Sequence, residues 1–110
     1  MPLKPVELHL LLALSHREQH GYGLVRAIEH DTDGAVALEP GNLYRVLKRL
    51  LEAGLVRESD YRAGDDGSEE RRRYYALTSA GARELAEELN RLRAVVNSPA
   101  ARALTRRFAS

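Results

Sequence analysis

The sequence predicts a mainly α-helical fold with one small β-hairpin. Three segments carry apolar residues at the spacing of three and four that buries one face of a helix, and a fourth is apolar on almost every side. Residues 55–62 and 70–77 flank a polar, glycine-rich stretch and predict the two strands of the hairpin. A length of 110 residues fits one domain, and the absence of cysteine excludes disulfides and thiolate zinc sites.

The first predicted helix runs from Pro5 to about Ser15. A proline suits the first helical turn, where its missing N–H has no partner to lose. The apolar residues of this segment point almost all round the helix, and a helix of that kind is buried on every side. In so small a protein we expect it to lie between its own core and a second subunit, which it contacts through Leu8, Leu11 and Leu12.

The next segments predict a loop, a helix and a short extended stretch. Residues 16–20 are polar and lead into Gly21-Tyr22-Gly23, a loop signal. The second helix follows and runs to about His30, with apolar residues at i, i+3 and i+4. Residues 31–34 end it, and residues 35–38 are predicted to be a short strand.

The third helix begins at Pro40 and ends before Gly54, which suits a helix C-cap. Its leucines and Val46 occupy one side of the helical wheel, and Tyr44 lies at the edge of that apolar side. The opposite side is polar and mostly cationic, and it holds Asn42, Arg45, Lys48 and Arg49. One side is therefore predicted to pack in the core while the other faces outward.

After the hairpin, Thr78 or Ser79 is predicted to cap a long fourth helix. Ala82, Leu85, Leu89, Leu92 and Val96 follow one another at alternating steps of three and four, as in the seam between paired helices. We expect the last four to form a dimerisation seam; the alternative is packing within one subunit. Ser98-Pro99 predicts a further short helix.

The order of these elements is that of a winged helix-turn-helix domain, here residues 1–78, followed by a dimerisation helix and tail at residues 79–110. In such domains the second helix of the pair enters the major groove of DNA. Arginine can pair with guanine and asparagine with adenine there. Asn42, Arg45, Lys48 and Arg49 are therefore predicted DNA contacts, although cations can also simply solvate an exposed helix. Tyr44 suits either DNA contact or core packing.

Four further residues are candidate phosphate contacts. Arg71, Arg72 and Arg73 begin the second hairpin strand, and alternation places Arg72 on the opposite face from the other two. They could instead pair with the acidic residues of the hairpin tip, Asp65, Asp66, Glu69 and Glu70. Tyr22 precedes the second helix and suits either packing between the helices or a phosphate at the helix N-terminus.

Charge and motifs narrow the function classes. The net charge is only +1, but residues 40–55 hold three Lys or Arg against one acidic residue, and residues 79–110 hold six against three. Such a distribution can present a basic face to a polyanion.

No motif of a hydrolase, phosphate-binding loop or metalloprotease is present, which argues against an enzyme. The four histidines complete no metal site, and we expect no cofactor. The start of the chain does not resemble a signal peptide and its apolar run is too short for a bilayer, which predicts a cytoplasmic protein without a membrane partner.

Several blocks together resemble the PadR-like family of transcriptional regulators. They are Gly21-Tyr22-Gly23-Leu24, the run from Pro40 to Leu50, Glu52-Ala53-Gly54-Leu55-Val56, and the run from Arg71 to Gly81. The resemblance covers about residues 5–90. It implies a homodimer on a palindromic operator, usually a repressor relieved by a ligand or signal, in which the C-terminal helix packs on the partner subunit. The chain departs from many relatives in having Arg45 instead of proline after the Leu-Tyr pair, and in its short C-terminal part.

The sequence thus predicts a sequence-specific regulator with double-stranded DNA and a second copy of the chain as partners. A small-molecule effector is a further candidate partner. The alternative is a winged-helix protein-interaction module without DNA binding. The acidic hairpin tip and the modest net charge keep that alternative open.

Overall fold

The computed structural model describes residues 3–36, 38–59 and 73–109. Within them the chain forms helices and strands in the order α1 (Pro5–His16), β1 (Gln19–His20), α2 (Gly21–Asp31), α3 (Pro40–Glu52), β2 (Val56–Ser59), β3 (Tyr74–Leu77), α4 (Ser79–Val96) and α5 (Pro99–Arg107). The predicted fold class, mainly α-helical with a small β-hairpin, is confirmed.

At the N-termini of α1, α4 and α5, side chains accept hydrogen bonds from backbone N–H groups that have no partner within the helix. At α1, the Glu7 carboxylate accepts a hydrogen bond of 2.8 Å from the Lys4 N–H. Thr78 is the cap of α4, since its hydroxyl accepts from the Gly81 N–H at 2.9 Å, and Ser98 caps α5 in the same way. Gly54, past the end of α3, has a φ of 78°, which a residue without a Cβ adopts at low cost.

The sheet has three antiparallel strands, with β3 between β1 and β2. Tyr75 of β3 is paired with Gln19 on one side and with Glu58 on the other. The predicted hairpin is therefore confirmed in β2 and β3, while β1 falls in a segment predicted as loop. Residues 60–72, which include the predicted hairpin tip, lie outside the described residues.

The loop predicted at Gly21-Tyr22-Gly23 is wrong, because these residues form the first turn of α2. The His20 ring caps that turn, with Nδ1 accepting a hydrogen bond of 3.0 Å from the Gly23 N–H. A Cβ on Gly21 would lie 2.7 Å from the hydroxyl oxygen of Tyr44. This glycine therefore allows α2 to approach α3 closely, and does not serve a turn.

The short strand predicted at residues 35–38 is also wrong. Of these residues the structure describes 35, 36 and 38, and none of the three lies in a strand. The backbone turns after α2 instead, with positive φ at Asp33 and Gly34. Thr32 holds this turn, because its carbonyl accepts from the Ala35 N–H at 3.0 Å and its hydroxyl from the Val36 N–H at 3.1 Å.

The core lies between α1, α2, α3 and the sheet, and α4 packs against α1. The fully buried large side chains of the core are Leu10, Leu11, Leu24, Ile28, Leu43, Leu47 and Leu50. The molecule measures 54 × 30 × 24 Å, and α5 packs on α4 without burying any of its own residues. Among the helices of the described residues, none has the length and apolar composition to cross a bilayer.

Candidate nucleic-acid interface

Helix α3 has one buried and one exposed side. Leu43, Val46, Leu47 and Leu50 are buried, whereas Asn42, Arg45, Lys48 and Arg49 are all exposed. The partition agrees with the helical wheel drawn from the sequence. Since the leucines anchor α3 in the core, the cations are held on a rigid element and not on a loop.

The exposed cations of α3 are available to a ligand. Among the described residues, no hydrogen bond or ion pair engages the side chains of Arg45 and Lys48. The Nε of Arg49 lies 3.9 Å from a carboxylate oxygen of Glu7 on α1, at the outer limit of an ion pair. The Arg49 side chain is 49% exposed and that of Glu7 is 14% exposed. Because the distance is long, the pair holds Arg49 only weakly, and a phosphate group could take the place of Glu7 at the guanidinium.

Tyr44 connects α3 with the start of α2. Its side chain packs with the hydroxyl against Gly21, yet 52% of the residue remains exposed. The two roles that the sequence left open, packing and surface contact, are thus compatible in one side chain. Tyr44 also brings the first turn of α2 beside the exposed side of α3.

Tyr22 is a surface residue in the first turn of α2 and is 64% exposed. Its ring is parallel to that of His20, with 6.5 Å between the centroids. The guanidinium of Arg26, one turn further along α2, lies 5.8 Å from the centre of the Tyr22 ring, a cation–π contact. Tyr22 and Arg26 therefore form an exposed aromatic and cationic pair near the N-terminus of α2, where phosphate groups are favoured.

Of the three predicted arginines of the hairpin, the structure describes only Arg73; Arg71 and Arg72 lie outside the described residues. One Nη of Arg73 lies 3.6 Å from a carboxylate oxygen of Glu58, on the neighbouring strand β2. The Arg73 side chain remains exposed. The predicted pairing partners were the acidic residues of the hairpin tip, and Glu58 was not among them.

Tyr75 is a buried tyrosine in the central strand of the sheet. Burial raises the pKa of its hydroxyl, and the nearby Tyr44 hydroxyl and Glu58 carboxylate act in the same direction. Arg73 acts in the opposite direction through its positive charge. Sequence reasoning missed this residue; alternation along β3, which sends Tyr74 and Tyr75 to opposite faces, is the signal that could have found it.

The candidate dimerisation residues divide into two groups. Leu11 and Leu85 are buried within their own chain, and Leu8, Leu12 and Leu89 are partly buried against its core. Leu92 is only partly covered, and Val96 is 66% exposed. The first half of the predicted seam is therefore largely used within the chain, and the second half leaves apolar surface uncovered.

No group of three His, Cys, Asp or Glu side chains lies close enough to hold a metal ion in the part of the chain that the structure describes. The site offers guanidinium, ammonium, amide and phenol groups. These groups suit an anionic ligand.

The helix pair α2 and α3, followed by the antiparallel strands β2 and β3, defines a winged helix-turn-helix protein. Residues 10–87 match the model of the transcriptional regulator PadR-like family. The chain therefore belongs to the PadR-like family of transcriptional regulators, as the sequence blocks predicted.

Individual relatives agree with this assignment. The chain is 34% identical over 82 residues to the transcriptional regulator YqjI of Escherichia coli K12, an alignment that covers 74% of this chain and 36% of that protein. This chain thus spans little more than a third of the length of that relative. A transcriptional regulator from Clostridium thermocellum has the same fold, with 21% identity, a TM-score of 0.68 and coverage of 96% of this chain and 90% of that one. Bacillus subtilis PadR, solved in complex with operator DNA, superposes with 22% identity and a TM-score of 0.66 over 80% of this chain and 48% of that one.

Proposed function

We propose that this protein binds duplex DNA sequence-specifically and represses transcription as a homodimer. The observation that carries the proposal is the exposed side of α3, where Arg45 and Lys48 have no partner among the described residues and Asn42 lies beside them. The second helix of a helix-turn-helix pair reads the major groove. Arg45 and Asn42 have the chemistry to read guanine and adenine, and Lys48 and Arg49 that to contact phosphates.

The flanking elements support a wider DNA surface. Arg73, with Arg71 and Arg72, contacts the backbone beside the groove that α3 enters. Tyr22 contacts a phosphate at the N-terminus of α2, where the backbone N–H groups and the helix dipole favour an anion. The half-exposed Tyr44 side chain lies against Gly21, the residue before Tyr22. The solved complex of Bacillus subtilis PadR with operator DNA supports the same use of the fold.

The proposed dimer is formed by residues 79–110 together with α1. Its support is the apolar surface that Leu92 and Val96 leave uncovered on α4. A two-fold pair would hold two copies of α3 about one turn of DNA, roughly 34 Å, apart and so select a palindromic operator. Repression follows because the bound dimer occludes promoter DNA. A small-molecule effector would act by changing the angle between subunits through α4.

The test is selection of bound sequences from a random duplex library, followed by fluorescence anisotropy on an enriched duplex at increasing salt. We expect palindromic sequences to be enriched. We also expect the logarithm of the affinity to fall linearly with that of the salt concentration, with a slope of about −0.9 for each phosphate contact. No enrichment and no salt-dependent binding would reject the proposal in favour of a protein-interaction module.

A further inference from the structure

We propose that His20 is a pH-sensitive positioning residue, whose neutral imidazole holds the first turn of α2 so that Tyr22 meets a DNA phosphate. Protonation of the ring removes this hold and weakens duplex binding. The inference rests on the proposed DNA-binding function and adds to it a residue that acts through Tyr22 and does not itself touch DNA.

The hydrogen bond at the start of α2 requires a neutral ring. Nδ1 of His20 accepts from the Gly23 N–H at 3.0 Å. A ring nitrogen accepts only when it carries no proton, so the neutral ring holds its hydrogen on Nε2 and protonation adds a second hydrogen at Nδ1. The imidazolium donates from both nitrogens and therefore does not cap the helix. Its charge would also lie at the positive end of the α2 dipole, which disfavours it.

The first turn of α2 is weak without its cap, because glycines flank Tyr22 on both sides. Glycine loses more backbone freedom on ordering than any other residue. Packing nevertheless requires both glycines. A Cβ on Gly21 would meet the Tyr44 hydroxyl, and a Cβ on Gly23 would lie 3.4 Å from Cε1 of the His20 ring. The His20 cap therefore stabilises a turn that the two glycines weaken.

Two aromatic contacts fix the ring that provides the cap. The Tyr74 ring meets the His20 ring edge-on, with 5.4 Å between the centroids, and the two residues are also paired in the sheet. The Tyr22 ring is parallel to the His20 ring at 6.5 Å. Tyr22 in turn lies under the Arg26 guanidinium. A change at His20 therefore acts directly on Tyr22, the proposed phosphate contact.

The titratable groups that the ring contacts within the described residues are phenols. They belong to Tyr22 of α2 and Tyr74 of β3, and phenols as a class keep their proton in the range where histidine titrates. The charged groups nearest to them along the chain are those of Glu18, Arg26 and Arg73. The two cations oppose a further positive charge. The Glu18 carboxylate is already engaged, since it accepts from the Ser59 hydroxyl at 2.8 Å and lies 3.4 Å from the Arg57 guanidinium.

Duplex binding measured as a function of pH tests the inference. His20→Asn keeps a side-chain oxygen that caps a helix but does not titrate. As the pH falls from about 8 to about 5.5, we expect the unaltered protein to lose affinity for an enriched duplex about three- to tenfold relative to His20→Asn. This ratio removes the contributions of the other histidines, which both proteins share. His30→Asn is the matched control, since it changes an exposed histidine at the other end of α2 and should retain the pH dependence of the unaltered protein.

His20→Phe separates the cap from the ring. It keeps an aromatic side chain beside Tyr22 and Tyr74 but removes the acceptor, so it should bind about three- to tenfold more weakly than His20→Asn at every pH. Relative strengthening of the unaltered protein at low pH would overturn the inference, because the imidazolium would then contact a phosphate itself. An equal pH dependence in the unaltered protein and His20→Asn would overturn it as well.

Imidazole nitrogen chemical shifts test the cap without DNA. We expect the neutral His20 ring to carry its hydrogen on Nε2, and the Gly23 amide resonance to move as the ring is protonated. A neutral ring with its hydrogen on Nδ1 would overturn the inference. If the unaltered protein binds no duplex at about pH 8, the proposed function fails and the inference fails with it, whereas duplex binding that ignores the protonation of His20 rejects the inference alone.

Discussion

The carboxylate of Glu88, on α4, accepts a hydrogen bond of 2.5 Å from the backbone N–H of Leu3, near the opposite end of the described chain. Arg91, one turn further along α4, donates a second hydrogen bond from its Nε. Glu88 is only 5% exposed, so these two donors replace the water that its charge has lost. The contact ties the residues before α1 to the middle of α4.

This contact predicts a specific acid sensitivity. The Arg91 hydrogen bond holds the pKa of Glu88 below its ordinary value; burial acts against it, and the Leu3 N–H acts with it. A carboxyl group with a lowered folded-state pKa stabilises the protein above its unfolded pKa of about 4.3, and that contribution is lost as the pH falls further. We expect urea unfolding at a series of pH values between about 5 and 3 to show a shallower pH dependence in Glu88→Gln than in the unaltered protein.

Glu87 is the matched control for that experiment, because it is the neighbouring glutamate on α4 but is exposed. Glu87→Gln should retain the pH dependence of the unaltered protein. An unchanged pH dependence in Glu88→Gln would show that the buried carboxylate contributes nothing to acid sensitivity.

Gly81 predicts a steric limit at the start of α4. A Cβ there would collide with the backbone carbonyl of Leu55 and lie 2.8 Å from a methyl group of Leu77. Backbone atoms cannot move aside as the end of a side chain can, so Gly81→Ala should lower the free energy of unfolding by about 1–3 kcal/mol or more. Gly41→Ala is the control, since a Cβ at Gly41 meets nothing within 4 Å. Equal thermal stability of the two variants would contradict the close approach of α4 to the backbone of Leu55, just before β2.

Arg45 predicts a localised loss of DNA affinity. If its guanidinium reads a base, Arg45→Ala should weaken binding of an enriched duplex by about 1–3 kcal/mol, measured by anisotropy at fixed salt. Arg102→Ala removes the same charge from the exposed face of α5 and should have little effect. If both variants lose affinity equally, binding depends on total charge and Arg45 makes no specific contact.

Local patterns predicted the helices well, because each is specified by neighbouring residues. The apolar side of α3, Pro40 at its start, Gly54 beyond its end and the Thr78 cap of α4 are all visible in short stretches of sequence. Strand β1 is not, since Gln19 and His20 become a strand only by pairing with β3.

The parts of the site that sequence reasoning missed depend on contacts between distant elements. Glu58 lies opposite Tyr75 and close to Arg73 because of the register of β2 and β3. Glu88 lies among the polar residues of α4, and nothing in its sequence neighbours indicates that the N-terminal segment covers it. Gly21 was wrongly predicted to lie in a loop. The reason for a glycine there is its close contact with Tyr44, which exists only once α2 and α3 are packed together.

Val96 tests the proposed dimer more cleanly than the buried members of the seam do. Leu85 and Leu89 contribute to the core of their own chain, so a charge at either position would unfold the subunit as well as disrupt a dimer. Val96 is 66% exposed, and Val96→Asp should therefore leave the subunit folded while placing a charge in the interface. We expect sedimentation at the monomer mass with unchanged helical circular dichroism, and weaker binding of a palindromic duplex. Ala35→Asp introduces the same charge at an exposed residue outside α1 and residues 79–110, and this variant should remain a dimer. A Val96→Asp protein that sediments as a stable dimer would show that the subunits pair through another surface.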